Sequence, residues 1–215
     1  MSAEHKRAWL ITDFAPQQIV TNYSSILPSD VIIAVDGGLK RCLELHLSPD
    51  VLIGDFDSVE TSNLLRLKPS CQRITYPRIK DETDTQLAVQ YCIQEAYREI
   101  IICNDLGGRF DHSLALIQNL MQAQQNGLKA SIISSTQMMF VPVNEAKTSY
   151  RVNSLLSIIA LSETVEFVSS QGLKFPLNDV TLYNWQSRGI SNVVTEPKQE
   201  IRFKQGQALI IVTPK

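Results

Sequence analysis

Histidine is scarce in this chain, with three among 215 residues, and its four cysteines (Cys42, Cys71, Cys92, Cys103) stand far apart with no Cys-x-x-Cys spacing. Zinc frameworks need clustered Cys and His ligands, and secreted scaffolds need paired cysteines at short range, so both classes are disfavoured. Cys92 and Cys103 fall inside apolar stretches and read as buried free thiols in a reducing cytoplasm. The apolar run near the N-terminus, Ala8 to Ile11, is too short for a secretory signal or a spanning helix, so no membrane is expected. Twenty Lys and Arg against 22 Asp and Glu give a formal net charge of −2, which leaves no basic footprint for nucleic acid. Neither GxxxxGK[ST] nor GxGxxG occurs, so the P-loop and the dinucleotide fingerprint are both absent. Internal repeats, low-complexity segments and long like-charge runs are lacking as well.

What remains is an ordinary globular composition, 44% hydrophobic and 20% charged, long enough for one or two domains with a core of their own. Through the first two-thirds, short β-branched runs alternate with amphipathic stretches. AWLIT (8–12), VIIAV (31–35), DVLIG (50–54), QRITY (72–76), EIIIC (99–103) and ASIIS (130–134) read as strands, mostly continuous apolar runs of the kind covered on both faces. Thr83 to Arg98 reads as a helix with Leu87, Ala88, Tyr91 and Cys92 on one stripe and Thr83 or Asp84 at its N-cap. Asp111 to Asn126 reads as another, stopped by Gly127. Strands alternating with helices predict a doubly wound, mostly parallel α/β sheet of Rossmann-like type over residues 1–143.

After about residue 140 strand-like runs (LLSIIAL, TVEFVS, VTLYNW, QEIRFK, ALIIVT) follow one another between Gly, Pro and Asn-Asp turn signals. They predict an all-β sandwich or barrel over 150–215, with Asn144 to Tyr150 as linker. So small a module is marginal alone and is expected to pack on the first domain or on a second copy.

The acids are placed tellingly. VIIAV ends in Asp36-Gly37-Gly38, DVLIG runs into Asp55-Phe56-Asp57-Ser58, and EIIIC into Asn104-Asp105. Open α/β sheets bind ligands outside the carboxyl ends of their strands. Asp55 and Asp57, two apart, point to the same side of an extended segment. Carboxylates held that close raise each other's pKa unless a cation neutralises them, and such hard oxygens suit Mg²⁺ together with substrate phosphates. Asp36 or Asp105 alone fits a turn or a helix cap as well. The run Lys80-Asp81-Glu82-Thr83-Asp84 sits at a helix start, where the macrodipole favours acids and where one acid can also turn to a metal. In Gly107-Gly108-Arg109-Phe110-Asp111-His112, paired glycines admit phosphate oxygens to backbone N–H groups and Arg109 offers a planar fork. His112 reads as a general base or as a capping residue. Without further information these residues make a Mg²⁺-phosphate site on a parallel sheet.

In order, DGG (36–38), GDFDS (54–58), D-x-T-D (81–84), GGRFDH (107–112), GLKFPL (172–177) and SRGISN (187–192) resemble the motifs of thiamine pyrophosphokinases, from about Val31 to Thr213. The resemblance implies an N-terminal α/β domain, a C-terminal β-sandwich, and a cytoplasmic homodimer with active sites at the subunit interface. It implies ATP and thiamine as substrates and Mg²⁺ as the metal. Asp55, Asp57 and Asp84 match the metal-binding catalytic acids, with Asp36 and Gly37 at the nucleotide phosphates. Thr83, Arg109 and Asp111 match the lining of the ATP site, and Ser191 and Asn192 the segment that meets the thiamine pyrimidine. Two positions depart from the pattern. The first strand leads into Thr12-Asp13-Phe14 instead of an Asn-Gly turn, and Val193-Val194-Thr195 offers no aromatic for thiamine, a place open to Trp185 or to an aromatic of the partner subunit. A non-catalytic nucleotide or thiamine diphosphate sensor of the same fold, or a diphosphokinase for another heteroaromatic alcohol, remains open at this point.

Overall fold

Six short runs pair side by side, and five of them are buried on both faces and need neighbours for every backbone group. The computed structural model describes residues 6–18, 25–57 and 59–215; residues 1–5 and Ser58 of the GDFDS motif lie outside the described residues. The chain divides into two compact units, Met1–Ser135 and Thr136–Lys215. In the first, β1 (Arg7–Ile11), β2 (Val31–Val35), β3 (Val51–Gly54), β4 (Gln72–Thr75), β5 (Glu99–Cys103) and β6 (Lys129–Ile133) pair in parallel in the order β6-β5-β1-β2-β3-β4. Trp9, Leu10, Ile33, Leu52, Ile100 and Ile102 form the buried centre, whereas β4, at the edge, exposes most of its residues.

The helices are α1 (Gly38–Glu44), α2 (Thr61–Leu64), α3 (Asp84–Gln94) and α4 (Phe110–Gln125). Right-handed crossovers put α1 on one sheet face and α3 and α4, which pack together, on the other. The strand order therefore reverses between β1 and β5. That reversal leaves a crevice at the carboxyl ends of these two strands. At the opposite end, Asp30 accepts hydrogen bonds from Arg7 Nε and Nη2 at 2.9 and 2.6 Å, from Trp9 Nε1 at 2.8 Å and from the Leu27 N–H at 2.8 Å.

The second unit is all β. Its strands are β7 (Met138–Phe140), β8 (Glu145–Thr148), β9 (Leu155–Ala160), β10 (Thr164–Gln171), β11 (Thr181–Tyr183), β12 (Asn192–Val193), β13 (Gln199–Gln205) and β14 (Ala208–Thr213). They pair antiparallel as β12-β9-β14-β7 and β11-β10-β13-β8. Burial alternates along β9, and Leu156, Ile158, Val165, Phe167, Ile201 and Ile210 supply the inward sides of a sandwich core. Phe167 and Phe203, ring centroids 5.1 Å apart, sit where β10 and β13 shift register. Glu145–Thr148, a linker in the sequence reading, is strand β8; its single buried side chain, Ala146, gives too little apolar alternation to signal a strand. Among the described residues no helix is long and apolar enough to cross a membrane.

Candidate active site

At the carboxyl edge of the parallel sheet, Asp36, Asp55 and Asp57 each present an oxygen, and the three oxygens lie within 4.8 Å of one another. Asp36 follows β2 directly with φ of 44°, and its N–H donates to Ile53 O at 2.7 Å, so the turn is tied to β3. Its Oδ1 accepts from the Phe56 N–H at 3.2 Å. Gly54 is required for this approach, because a Cβ there would lie 2.9 Å from Asp36 Cβ. Asp55 and Asp57 do not converge through strand alternation, as the two-residue spacing suggested. β3 ends at Gly54, Phe56 has φ of 62°, and the Asp57 N–H donates to Asp55 Oδ1 at 3.0 Å, so a tight turn gathers the pair.

Lys80 stands beside this group. Its Nζ lies 3.4 Å from Asp55 Oδ2 and 2.8 Å from Asp84 Oδ1, with its side chain almost fully enclosed. Burial opposes the charge on Lys80, but the hydrogen bond to Asp84 and the charges of Asp84 and Asp55 outweigh it and raise its pKa. The Asp57 N–H, followed by Lys80, holds the Asp55 carboxyl below the usual carboxylate range despite partial burial. The acidic set therefore has two partner cations in place, Lys80 and the exposed Arg78, whose Nε lies 3.0 Å from Asp57 Oδ2, and the carboxylates of Asp36, Asp55 and Asp57 form a hard-oxygen triangle suited in chemistry and spacing to Mg²⁺. Asp84 stands outside that triangle, on the other side of Lys80.

A cavity of about 240 Å³ opens next to Asp36 in the crevice between β1 and β5. Gly37, Thr83 and Asp84 line it from one side and helix α4 from the other. Thr83 is the N-cap of α3, its hydroxyl accepting from the Gln86 N–H at 3.2 Å. Thr12, Asp13 and Phe14, the segment that departs from the family pattern, also line the cavity. Phe14 packs on the paired glycines: a Cβ at Gly108 would lie 2.6 Å from its Cζ, and Gly108 has φ of 77°. The two glycines thus make room for a ring as well as exposing their backbone. Asp105 proves to be a structural tie, its Oδ1 accepting from the Ser135 N–H at 2.6 Å.

Arg109 and Asp111 face each other, Nη2 to Oδ2 at 2.5 Å and Nε to Oδ1 at 3.1 Å, and both are largely exposed at the mouth of α4. Their hydrogen bond raises the pKa of Arg109 and lowers that of Asp111. His112 lines the cavity one position further on.

In the second unit, Asn192 is buried and bridges the two motifs: its Nδ2 donates to Phe175 O at 2.7 Å and its Oδ1 accepts from the Phe175 N–H at 3.0 Å. Ser191 is exposed with φ of 59°, its N–H donating to Ser157 Oγ at 2.9 Å. Trp185 is 71% exposed and stacks at a tilt on Tyr183, centroids 5.2 Å apart.

Lys80 escaped the sequence reading as a site residue. Its (i, i+4) spacing to Asp84 was a signal, but residues 80 to 83 precede α3, so the pairing depends on a loop path that spacing does not give. Asp36 was set beside the phosphates and not with the metal acids, because only β2–β3 pairing brings it to Asp55.

Comparison with known proteins gives the family. The profile of the thiamin pyrophosphokinase catalytic domain matches residues 24–132, and that of the thiamin pyrophosphokinase vitamin B1 binding domain matches 142–208. The chain is similar to a thiamine pyrophosphokinase of Bacillus subtilis, 28% identical over 182 residues that cover 83% of this chain and 85% of the relative. It is similar to thiamin pyrophosphokinase 1 of Caenorhabditis elegans, 22% identical over 191 residues covering 83% and 76%. Among crystal structures, a Bacillus subtilis thiamine pyrophosphokinase matches with a TM-score of 0.85 at 23% identity, over 98% of this chain and all of that one. The Candida albicans thiamin pyrophosphokinase matches at 0.78 and 16% identity, over 99% and 90%. At these identities the structural likeness carries the fold.

Proposed function

Since the chain belongs to the thiamine pyrophosphokinase family, we propose that Asp36, Asp55 and Asp57 hold Mg²⁺ against the phosphates of ATP at the crevice between β1 and β5. The enzyme is a thiamine diphosphokinase, moving the terminal diphosphate of ATP onto the hydroxyl of thiamine to give thiamine diphosphate and AMP. The observation that carries the site assignment is the carboxylate triangle at the strand ends beside a cavity, because phosphates meet acids only with a cation between them.

The thiamine oxygen attacks the β-phosphorus in line, a new O–P bond forms, and the bond from that phosphorus to the α,β-bridging oxygen breaks, so that AMP leaves with the bridging oxygen. Positioning and charge neutralisation carry most of such a transfer. When bound, Mg²⁺ neutralises the phosphate oxygens and stabilises the charge that builds on them. Lys80 balances Asp55 and Asp84, and Asp84 is the acid we assign to the proton of the thiamine hydroxyl. Gly37 and Thr83 position ATP, with Arg109 and Asp111 at the mouth, where the exposed guanidinium is free to turn from Asp111 to a phosphate.

Ser191, in the turn that Asn192 braces, contacts thiamine, with Trp185 as the stacking aromatic. We read the first unit, Met1–Ser135, as the nucleotide-binding domain and the second, Thr136–Lys215, as the thiamine-binding domain. The working form is a homodimer with shared sites, in the cytoplasm, where four free cysteines remain reduced.

The decisive assay follows thiamine diphosphate and AMP formed from thiamine and MgATP. Turnover should vanish with a chelator and fall at least about 100-fold in Asp55→Asn and Asp57→Asn with unchanged circular dichroism. Full turnover by the double Asn variant would remove the pair as metal ligands.

A further inference from the structure

Helix α4 presents His112, Leu116 and Asn119 on one face, since residues three and four apart stack along a helix, and all three line the cavity at the crevice. Asn119 is 4% exposed, and among the described residues its Nδ2 is buried with no hydrogen-bond partner. Native folds rarely leave a buried donor unpaired unless something outside the chain supplies the acceptor.

A second buried amide on the same cavity provides the contrast. Asn104 donates from Nδ2 to Thr12 Oγ1 at 2.9 Å and accepts from the Leu106 N–H at 2.7 Å, so it is scaffolding. Asn119 Nδ2 has no such partner among the described residues.

Its position along the helix indicates which part of a ligand it meets. It lies seven residues beyond His112, about 10 Å along the axis, and α4 runs from the carboxyl ends of the strands back toward their amino ends. The carboxylate triangle, and with it the polyphosphate, sits at the carboxyl ends. The neighbours of Asn119 on the cavity wall are Ala115 and Leu116, with Val35 also lining it. The rest of the lining is mostly polar, with Thr12, Asp13, Thr83, Asp84 and Asn104 among it, whereas this stretch sets two apolar side chains beside one unpaired donor and suits the edge of a flat heteroaromatic ring that carries acceptor nitrogens. A space of about 240 Å³ is below the roughly 300–1,000 Å³ that encloses a whole drug-sized ligand, so it takes part of a nucleotide.

We propose that Asn119 recognises the nucleobase of ATP, donating its Nδ2–H to a ring nitrogen of the purine at the inner end of this crevice. The proposal rests on the diphosphokinase reading above, and thiamine-dependent AMP release by the unaltered enzyme tests that reading separately.

The experiment compares the wild type with Asn119→Leu, of similar size but without the donor. KM for ATP and the inhibition constant of inorganic tripolyphosphate, which has the phosphates but no base, are measured together with melting temperature. ATP should weaken about threefold to tenfold, the range of one neutral hydrogen bond. Tripolyphosphate inhibition and KM for thiamine should be unchanged, and melting temperature should not fall, because no internal hydrogen bond is lost. Unchanged KM for ATP overturns the proposal. Equal weakening of ATP and tripolyphosphate with a lower melting temperature also overturns it, marking Asn119 as structural. If the variant does not fold, deaza analogues of ATP decide on the wild type: deleting one of the ring nitrogens should weaken binding by the same factor, and no effect from any deletion overturns the assignment.

Discussion

Lys80 Nζ lies 2.8 Å from Asp84 Oδ1, and the same ammonium reaches Asp55 at 3.4 Å, so one lysine neutralises two acids that belong to different elements. Replacing it by Met leaves those carboxylates facing each other with their cation removed. The metal-free Lys80→Met protein should lose about 2 kcal/mol of stability, the scale of a charge-assisted hydrogen bond. Added Mg²⁺ should recover more of the melting temperature in the variant than it adds to the wild type. Equal Mg²⁺ stabilisation of both proteins by calorimetry would separate Lys80 from the metal site.

Arg109 has two futures. If it leaves Asp111 for a phosphate when ATP binds, Arg109→Lys keeps the charge but loses the planar fork, and kcat/KM should fall about 10- to 1,000-fold. The pair is exposed, so melting temperature should hardly move. Near-normal specific activity with a lowered melting temperature is the opposite pattern and marks a structural pair.

Gly54 is the clearance that lets Asp36 join the triangle. In Gly54→Ala the new methyl lies 2.9 Å from Asp36 Cβ, at φ of 155°, so the Asp36 carboxylate must shift. Displacements of about 1 Å in such sites lower rates by about 100-fold. The expected result is a large loss of kcat/KM, with a raised Mg²⁺ requirement and secondary structure retained by circular dichroism. An unaffected Mg²⁺ dependence would take Asp36 out of the metal set.

The Asp30 side chain is 2% exposed and meets Arg7, Trp9 and the Leu27 N–H. Burial raises its pKa, yet these hydrogen bonds and the charge of Arg7 more than reverse that, leaving it below the ordinary value. With the folded value lower than the unfolded one, the stabilisation is complete above about pH 4 and is lost as pH falls through the folded value. Asp30→Asn should therefore lower stability by roughly 3 kcal/mol near neutrality, and the gap should close in acid. Melting curves at several pH values check this, and a gap that persists at the acid end would assign the effect to something other than the ion pair.

Sites shared between two chains are tested by mixing an inactive Asp57→Asn chain with an inactive Ser191→Tyr chain and allowing subunit exchange. Ser191 is chosen because the buried amide of Asn192 holds the backbone of Phe175, so altering Asn192 disturbs the fold itself. Activity should return, since a mixed dimer contains one site with both halves intact. Mixed dimers seen by native mass spectrometry without activity would show that each site is built within one chain.

The sequence by itself determined the strands and their order of chemistry. Val31–Val35, Glu99–Cys103 and Ala208–Thr213 are runs rich in β-branched residues, and their identity as strands needs no partner to be read. The six motifs in order carried the family, and acids after strand ends pointed to the carboxyl edge of the sheet. Short elements such as Met138–Phe140 and Glu145–Thr148 were not legible, because a three- or four-residue strand is decided by its neighbours and not by its own pattern. Tertiary structure alone decided which acids meet. Asp36 and Asp55 are nineteen positions apart and converge because β2 and β3 pair in parallel, with Gly54 clearing the space between them. It also decided that Asn104 is satisfied and Asn119 is not, for the two amides look alike in sequence. Hydrogen bonds are made by distance and angle in three dimensions, and neither is encoded by residue type or spacing along the chain.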